Sequence, residues 1–505
     1  MKRIIPIIMI ILLITSTPAL AAVKKENRLW QDESIYSIMV DRFNDGDTKN
    51  DLDTNMQNPN IYNGGDFQGI IDKLDYIHDM GFTAIRLTPI FDNAPKGYHG
   101  YWINDFYKTD EHFGSIATFQ RLVKEAHKRK MKVLIDFVTN NVAADQQWVT
   151  DPSKQNWFHP KLAIHNMNNQ QELENGWADG LPDLNQDNPE VKKYLIDAAK
   201  WWIKKTDIDG YSLPEVNMVP VTFWSDFSKA VKSEKKNFFL LGEMANNTQP
   251  DLKSYENAGI DSMMNGALSS NLRAAFANTD RSFAALDKDK TFQPFLSANF
   301  LDNENTTRFT SDIVKNRQFP GSRWEMALVY LYTTPGIPVV YYGSEIAVNG
   351  GKTPDNRRQM SFRTDNDLLD YMTNVGKLRN QLPSLTRGTM ELLYEKAGML
   401  IYKRTYKSET SVIAINNTKK SQSITLSTDK LASGKELRGL LGGDNVESQG
   451  DKYTIILDRD IAEIYVLTDK SGLNIPLIAS LVVVYILVGI FLVLLFKRRK
   501  RVQEN

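Results

Sequence analysis

Between about residue 34 and residue 380 the chain alternates short apolar runs with longer stretches whose apolar residues recur every three to four positions. The runs fall at 35–40, 84–89, 133–138, 210–216, 238–244, 262–264, 294–301 and 337–342. They are rich in β-branched, aromatic and leucine residues with little polar alternation, as expected of strands buried on both faces. The stretches between them, clearest at 67–80, 116–130, 191–205 and 323–332, place their apolar residues on one side and predict amphipathic helices. Eight such strands with crossover helices predict an α/β fold, a (β/α)8 TIM barrel, over 30–140 and 188–384.

Two departures from the repeat predict further parts. After the third strand lie about fifty residues rich in Asn, Gln and Asp, too many for an ordinary connection, so 141–187 is expected to form a small inserted subdomain. Past residue 383 the pattern becomes short alternating runs at 399–405, 411–416, 423–426, 453–457 and 462–467, separated by Gly and Asp turns. These predict a C-terminal antiparallel β-sandwich over 385–468.

The two ends differ from this. Residues 1–21 carry Lys2 and Arg3, then an apolar run, then Ala19-Leu20-Ala21, the layout of a secretory signal peptide. Residues 475–496 contain no charge and, at about 1.5 Å per helical residue, are long enough to span a bilayer. Lys497-Arg498-Arg499-Lys500-Arg501 follows, which places the basic tail, 497–505, in the cytoplasm. The expected topology is a single-pass cell-membrane protein with an extracellular bulk. Cysteine is absent, so stability outside the cell has to come from packing or metal ions. With the cations flanking the two apolar ends set aside, acids outnumber bases, which argues against nucleic acid as a partner.

Several local motifs sharpen the picture. Asp41-Arg42-Phe43-Asn44-Asp45-Gly46-Asp47 follows the first strand, and Gly64-Gly65-Asp66-Phe67-Gln68-Gly69 opens the first helix. Tyr98-His99-Gly100-Tyr101-Trp102 follows the second strand, and Leu181-Pro182-Asp183-Leu184-Asn185 closes the insertion. Gly242-Glu243 ends the fifth strand, and Gly336-Ile337-Pro338-Val339-Val340-Tyr341-Tyr342-Gly343 forms the eighth. In this order and spacing the chain, over roughly 30–468, resembles the alpha-amylase family of glycoside hydrolases, in its cyclodextrin glucanotransferase and maltogenic amylase branch. The resemblance implies a retaining cleavage of α-glucans by two carboxyl groups about 5–5.5 Å apart.

The reacting positions depart from the family pattern. Glu243 matches the acid/base. The G-x-R-x-D motif reads Gly210-Tyr211-Ser212-Leu213-Pro214, so the arginine is Ser212 and the nucleophile is Pro214, which has no nucleophilic side chain and no N–H. The F-x-x-N-H-D motif reads Phe300-Leu301-Asp302-Asn303-Glu304-Asn305, so the third acid is Asn305. The histidine after the third strand is Asn141, and the Lys-His beyond the fourth is Asn217-Met218. Losing the nucleophile is expected to cost on the order of a million-fold in rate, by analogy with deleting a serine-protease nucleophile. Strand alternation predicts that Glu215 faces away from the cleft unless Pro214 causes a bulge. Glu304 is the best candidate for the base of an inverting rescue, which needs a separation of about 6.5–9.5 Å from the acid.

By the same resemblance His99 and Tyr101 line a sugar subsite. Asp45, Asp47, Asn50, Asp51, Gly64 and Asp66 match a structural calcium loop, and Asn140 with Asp183 a second calcium site. The leading expectation is a membrane-anchored member of this family, impaired in hydrolysis and retained for binding an α-glucan or maltooligosaccharide. The alternatives are an active α-1,4-glucan hydrolase or transferase with a rearranged site using Glu243, and a cell-surface scaffold without a sugar ligand.

Overall fold

The computed structural model describes residues 27–245, 251–287, 295–364, 366–470 and 475–503. The expected signal peptide lies outside the described residues. Eight parallel strands close a barrel: β1 (Ile35–Ile38), β2 (Ala84–Leu87), β5 (Lys132–Asp136), β6 (Gly210–Leu213), β7 (Phe239–Gly242), β8 (Ser262–Met264), β9 (Leu296–Asn299) and β10 (Ile337–Tyr341). The hairpin β3 (Phe91–Asn93) and β4 (Ile103–Thr109) is inserted between β2 and β5. All eight apolar runs become barrel strands.

Alternation along these strands sorts the interior into layers. Ile35, Ala84, Leu134, Phe239, Leu241, Ala298, Ile337 and Val339 pack inside the barrel as one apolar cluster. Trp30 closes its lower end by stacking on Phe239 at 3.9 Å. Two residues further along, the same inward parity carries Ser37, Arg86, Asp136 and Ser212, so the upper layer is polar and buried. The catalytic-type face therefore rests on a dry apolar plug.

The segment after β5 contains short helical turns, Gln147–Thr150, Pro152–Trp157, Gln170–Asn175 and Ala178–Gly180, tied back by the bridges Asn141–Asp183 and Phe158–Leu184. Trp148 packs edge to face against Trp157 and Tyr194 there.

The C-terminal part holds a sheet of β11 (Thr389–Lys396), β12 (Met399–Tyr406), β13 (Glu409–Asn416), β18 (Ile461–Asp469), β15 (Lys435–Gly439) and β16 (Asn445–Glu447). A two-stranded sheet, β14 (Gln422–Ser427) with β17 (Lys452–Leu457), packs on it over a shared apolar core. A helix follows at Ile475–Gln503, and its Ser480–Lys497 stretch is long and apolar enough to cross a membrane, with mean hydropathy 2.7.

Buried arginines satisfy carbonyls within the barrel and, from Arg404, across to the sandwich. Arg404 of β12 donates to the carbonyls of Thr333 and Gly388. Arg379 donates to the carbonyls of Tyr332 and Gly336 at 2.7 Å and of Gln31 and Leu385 at 3.0 Å. An orphaned buried carbonyl costs about 1–3 kcal/mol. Arg379→Met is therefore expected to lower stability by at least about 3 kcal/mol, seen as a clear fall in the melting temperature of the full-length protein. An unchanged melting curve would show that solvent replaces the arginine.

Candidate active site

The upper mouth of the barrel opens into a cavity of about 630 Å³ whose lining includes His99, Tyr101, Trp102, Pro214, Glu215, Glu243, Asn303, Asn305 and Arg357. Glu243 follows the last residue of β7, and its backbone N–H donates to the carbonyl of Leu213 on the neighbouring strand. Its carboxyl is held from both sides. Asn303 Nδ2 donates to Oε1 at 2.8 Å, and Arg86 Nη2 donates to Oε2 at 3.2 Å.

Arg86 is the centre of a buried ion cluster. Its Nε and Nη2 fork onto Asp136 at 2.7 and 2.8 Å, and Nη2 also reaches Glu304 Oε1 at 2.7 Å. The Tyr101 hydroxyl lies 2.8 and 3.0 Å from Asp136 Oδ2 and Glu304 Oε1 and shares its one hydrogen between them. Sequence reasoning missed Arg86. The available signal was a cation at an inward position of a fully buried strand, where arginine is rare unless paired.

One guanidinium facing three carboxyls spreads their proton affinities. Burial, and then the negative charge of Glu304, push Glu243 up to about 8, against the pull of Arg86. Burial likewise raises Asp136 to about 6. Burial works in the same direction on Glu304, but Arg86 overcomes it and holds that carboxyl below its ordinary range. His99 is driven down to about 3 by burial and by Arg357, so the imidazole is neutral. Its Nδ1 accepts the N–H of Tyr101 at 3.1 Å, which leaves the proton on Nε2.

The positions that the motif reading singled out fall as follows. Pro214 lines the cleft and offers no carboxylate opposite Glu243. Ser212 lies beneath it, fully buried, with an Oγ that has no hydrogen-bond partner among the described residues. Asn305 stands exposed at the rim. Glu304 is not at the cleft surface: it is wholly buried with Arg86 and Tyr101, which removes it as the base of an inverting reaction. Asp302 is likewise engaged, accepting from the Phe309 N–H at 2.8 Å and Ser344 Oγ at 3.1 Å.

The expectation for Glu215 is corrected. Strand alternation holds only while the strand continues, and β6 stops at Leu213. Pro214 has no N–H for the ladder. Glu215 then turns left-handed, with φ 56° and ψ 39°, and the Val216 N–H donates to the Glu243 carbonyl at 2.9 Å. The side chain lines the cleft instead of facing away, and burial, then Asp179, raise its carboxyl to about 7.

The calcium-type positions include buried oxygens without hydrogen-bond partners among the described residues. Asn50 Oδ1 and Asp51 Oδ1 are buried without hydrogen-bond partners, while Asn50 Nδ2 is anchored on the His112 carbonyl at 2.9 Å. Asp45 stands close enough to Asp47, Asp51 and Asp66 for their charges to raise its carboxyl, an effect added to burial. A Cβ at Gly64, where φ is +96°, would meet Asp51 Oδ1 at 2.7 Å. Asp66 differs from the rest: its oxygens accept the N–H groups of Gly46, Asp47 and Gly69 at 3.2, 2.8 and 2.6 Å. It organises the loop and caps the helix Phe67–Asp72. At the second site Asn140 meets Asp183 Oδ1 and the Met218 carbonyl at 3.1 and 2.9 Å. With the amide nitrogen inward these are hydrogen bonds; with the oxygen inward, three oxygens converge as a cation requires. Both donor sets fit a hard, oxygen-seeking ion.

The raised carboxyl at Glu243 has a consequence for stability. A group whose folded pKa exceeds its unfolded value binds more protons when folded. Its share of stability is therefore full below pH 4.5 and is lost as pH rises towards about 8. Glu243→Gln mimics the protonated form and removes this loss. Above pH 8 the variant is expected to be more stable than the parent by on the order of 2 kcal/mol, with little difference at pH 5. Parallel pH profiles of thermal melting check this, and a variant less stable at pH 9 would contradict it.

Comparison with known proteins agrees with this architecture. The model of the alpha amylase catalytic domain matches residues 37–377, and that of the alpha-amylase C-terminal domain matches 388–465. A beta/alpha-amylase of Paenibacillus polymyxa is 32% identical over 85% of this chain, although the chain spans only 37% of that protein's length. Among solved structures, an Anoxybacillus alpha-amylase is 55% identical with a TM-score of 0.86, covering 88% of this chain and 100% of its own. An alpha-amylase of Geobacillus thermoleovorans, solved with acarbose bound, is 53% identical with a TM-score of 0.85 over the same shares. From the closed barrel, the cleft at its carboxyl end and these matches, the chain belongs to the alpha-amylase family.

Proposed function

We propose that this protein is a membrane-anchored, extracellular member of the family that binds an α-glucan and does not hydrolyse it efficiently. The observation that carries the reading is the pairing at Glu243. Both of its oxygens are engaged by Arg86 and Asn303, and the position across the cleft is Pro214. A retaining reaction needs a free carboxylate there. Support for binding comes from the cleft: neutral His99, the Tyr101 ring and Trp102 offer polar and stacking surfaces for a pyranose. Acarbose binding by the Geobacillus thermoleovorans relative adds to it. The membrane anchor rests on the apolar stretch Ser480–Lys497 and the basic residues after it.

A second reading is favoured by one observation, the half-buried carboxyl of Glu215 in the same cleft as Glu243. With Glu243 as acid and Glu215 as base, the site would invert rather than retain. Incubating the full-length protein in detergent with maltoheptaose, starch and cyclodextrins at high protein load separates the two. We expect saturable binding with no release of shorter sugars. Turnover that Glu243→Gln or Glu215→Gln abolishes would overturn the first reading and support the second.

We also assign calcium to the loop of Asp45, Asp47, Asn50, Asp51 and Gly64, whose unpartnered oxygens it would satisfy, and to Asn140, Asp183 and the Met218 carbonyl. An ion that binds only the folded state stabilises it by mass action. Chelation is expected to lower the melting temperature, and Asp45→Asn/Asp51→Asn to weaken that response. Identical melting with and without chelator would remove the assignment.

A further inference from the structure

Ser212 and Arg86 lie on the two strands that flank Asp136. Asp136 on β5 is the register partner of Ser212 on β6, whereas Arg86 comes from β2, the other strand beside β5. Both Asp136 oxygens are taken by the Arg86 fork, and Oδ2 also accepts the Tyr101 hydroxyl. Glu304 closes the ring, bonded to Arg86 and to the same hydroxyl. The guanidinium thus holds the two acids that hold Tyr101, and it holds Glu243 directly.

We propose that Arg86 is the positioning residue of this cleft, fixing Tyr101 through Asp136 and Glu304 and fixing Glu243 by direct contact, and that its charge beside Asp136 also disfavours a second buried guanidinium on β6. The first half rests on the glucan-binding reading above; the second does not. The geometry requires arginine in particular. A planar fork can meet several carboxyl oxygens at once, while a lysine ammonium is a single point of charge. Arg86→Lys keeps one positive charge among Asp136, Glu304 and Glu243 but cannot hold them in one plane. Arg86→Met leaves the acids unbalanced, and adding Glu304→Met relieves part of that cost.

The consequence for restoring chemistry follows from the same contacts. An arginine introduced at position 212 would meet an Asp136 that is already paired and a second buried guanidinium beside it. Ser212→Arg, Pro214→Asp and Asn305→Asp together are therefore not enough while Arg86 and Glu304 remain.

Two measurements on the full-length protein in detergent test this. The first is maltoheptaose affinity by calorimetry, with thermal melting alongside, for the parent, Arg86→Lys, Arg86→Met and Arg86→Met/Glu304→Met. Arg86→Lys is expected to fold and to lose about tenfold or more in affinity. The double variant is expected to melt above Arg86→Met. A lysine variant that binds as the parent does overturns the positioning role, since a purely structural arginine would alter melting alone. The second measurement is maltoheptaose turnover by the triple restoration, compared with the same triple carrying Arg86→Leu and Glu304→His. We expect turnover only in the latter. Equal turnover in both, or none in either, counts against the proposal. If the parent takes up no maltoheptaose, the glucan-binding reading falls, and the turnover comparison still decides the role of Arg86.

Discussion

One guanidinium inside the barrel mouth sets the condition for everything above it. Arg86 is fully buried and faces Asp136, Glu304 and Glu243, so a single positive charge is shared among three carboxyl groups in a dry layer. Such a cluster is stable only if at least one acid gives up its charge or the hydrogen bonds around it are complete. Both conditions are met: Tyr101 and Asn303 supply the missing donors, and Glu243 holds its proton to about pH 8. An acid fixed from two sides in this way is suited to a rigid surface more than to a group that must give and take a proton in each turnover.

The same cluster explains why the barrel tolerates so many altered positions at its mouth. Beneath it lies the apolar plug closed by Trp30 and Phe239, and buried Arg404 and Arg323 join the barrel to the sandwich. β6 ends at Leu213 before Pro214, Glu215 turns into the cleft, and Ser212 lies buried beneath. The cleft is thus lined by Pro214, Glu215 and Glu243 together.

How far this could be read from the chain depends on what each residue's neighbours contribute. The barrel strands were legible because burial on both faces leaves an uninterrupted apolar run. β11, β15 and β16 were not: β11 is mostly exposed and carries charges, and β16 is a three-residue edge. The helix expected over 67–80 breaks at Lys73 into Phe67–Asp72 and Leu74–Asp79. At the site, motif spacing carries Glu243 and Pro214 to strand ends and His99 and Tyr101 to the loop between β3 and β4, and all four line the cleft. Glu215 could not be placed, since period-two alternation fails once the strand stops. Arg86 lay hidden because its partners are 50, 157 and 218 residues away, a relation that only barrel closure creates.

The central claim is that the cleft holds a glucan against a fixed, non-attacking floor. A crystal structure of the protein soaked with maltoheptaose tests it most directly. The account predicts an intact oligosaccharide resting on Tyr101 and His99, with Glu243 still bonded to Arg86 and Asn303. A cleaved sugar in the cleft, or a Glu243 carboxyl swung free of Arg86 towards a glycosidic oxygen, would contradict it.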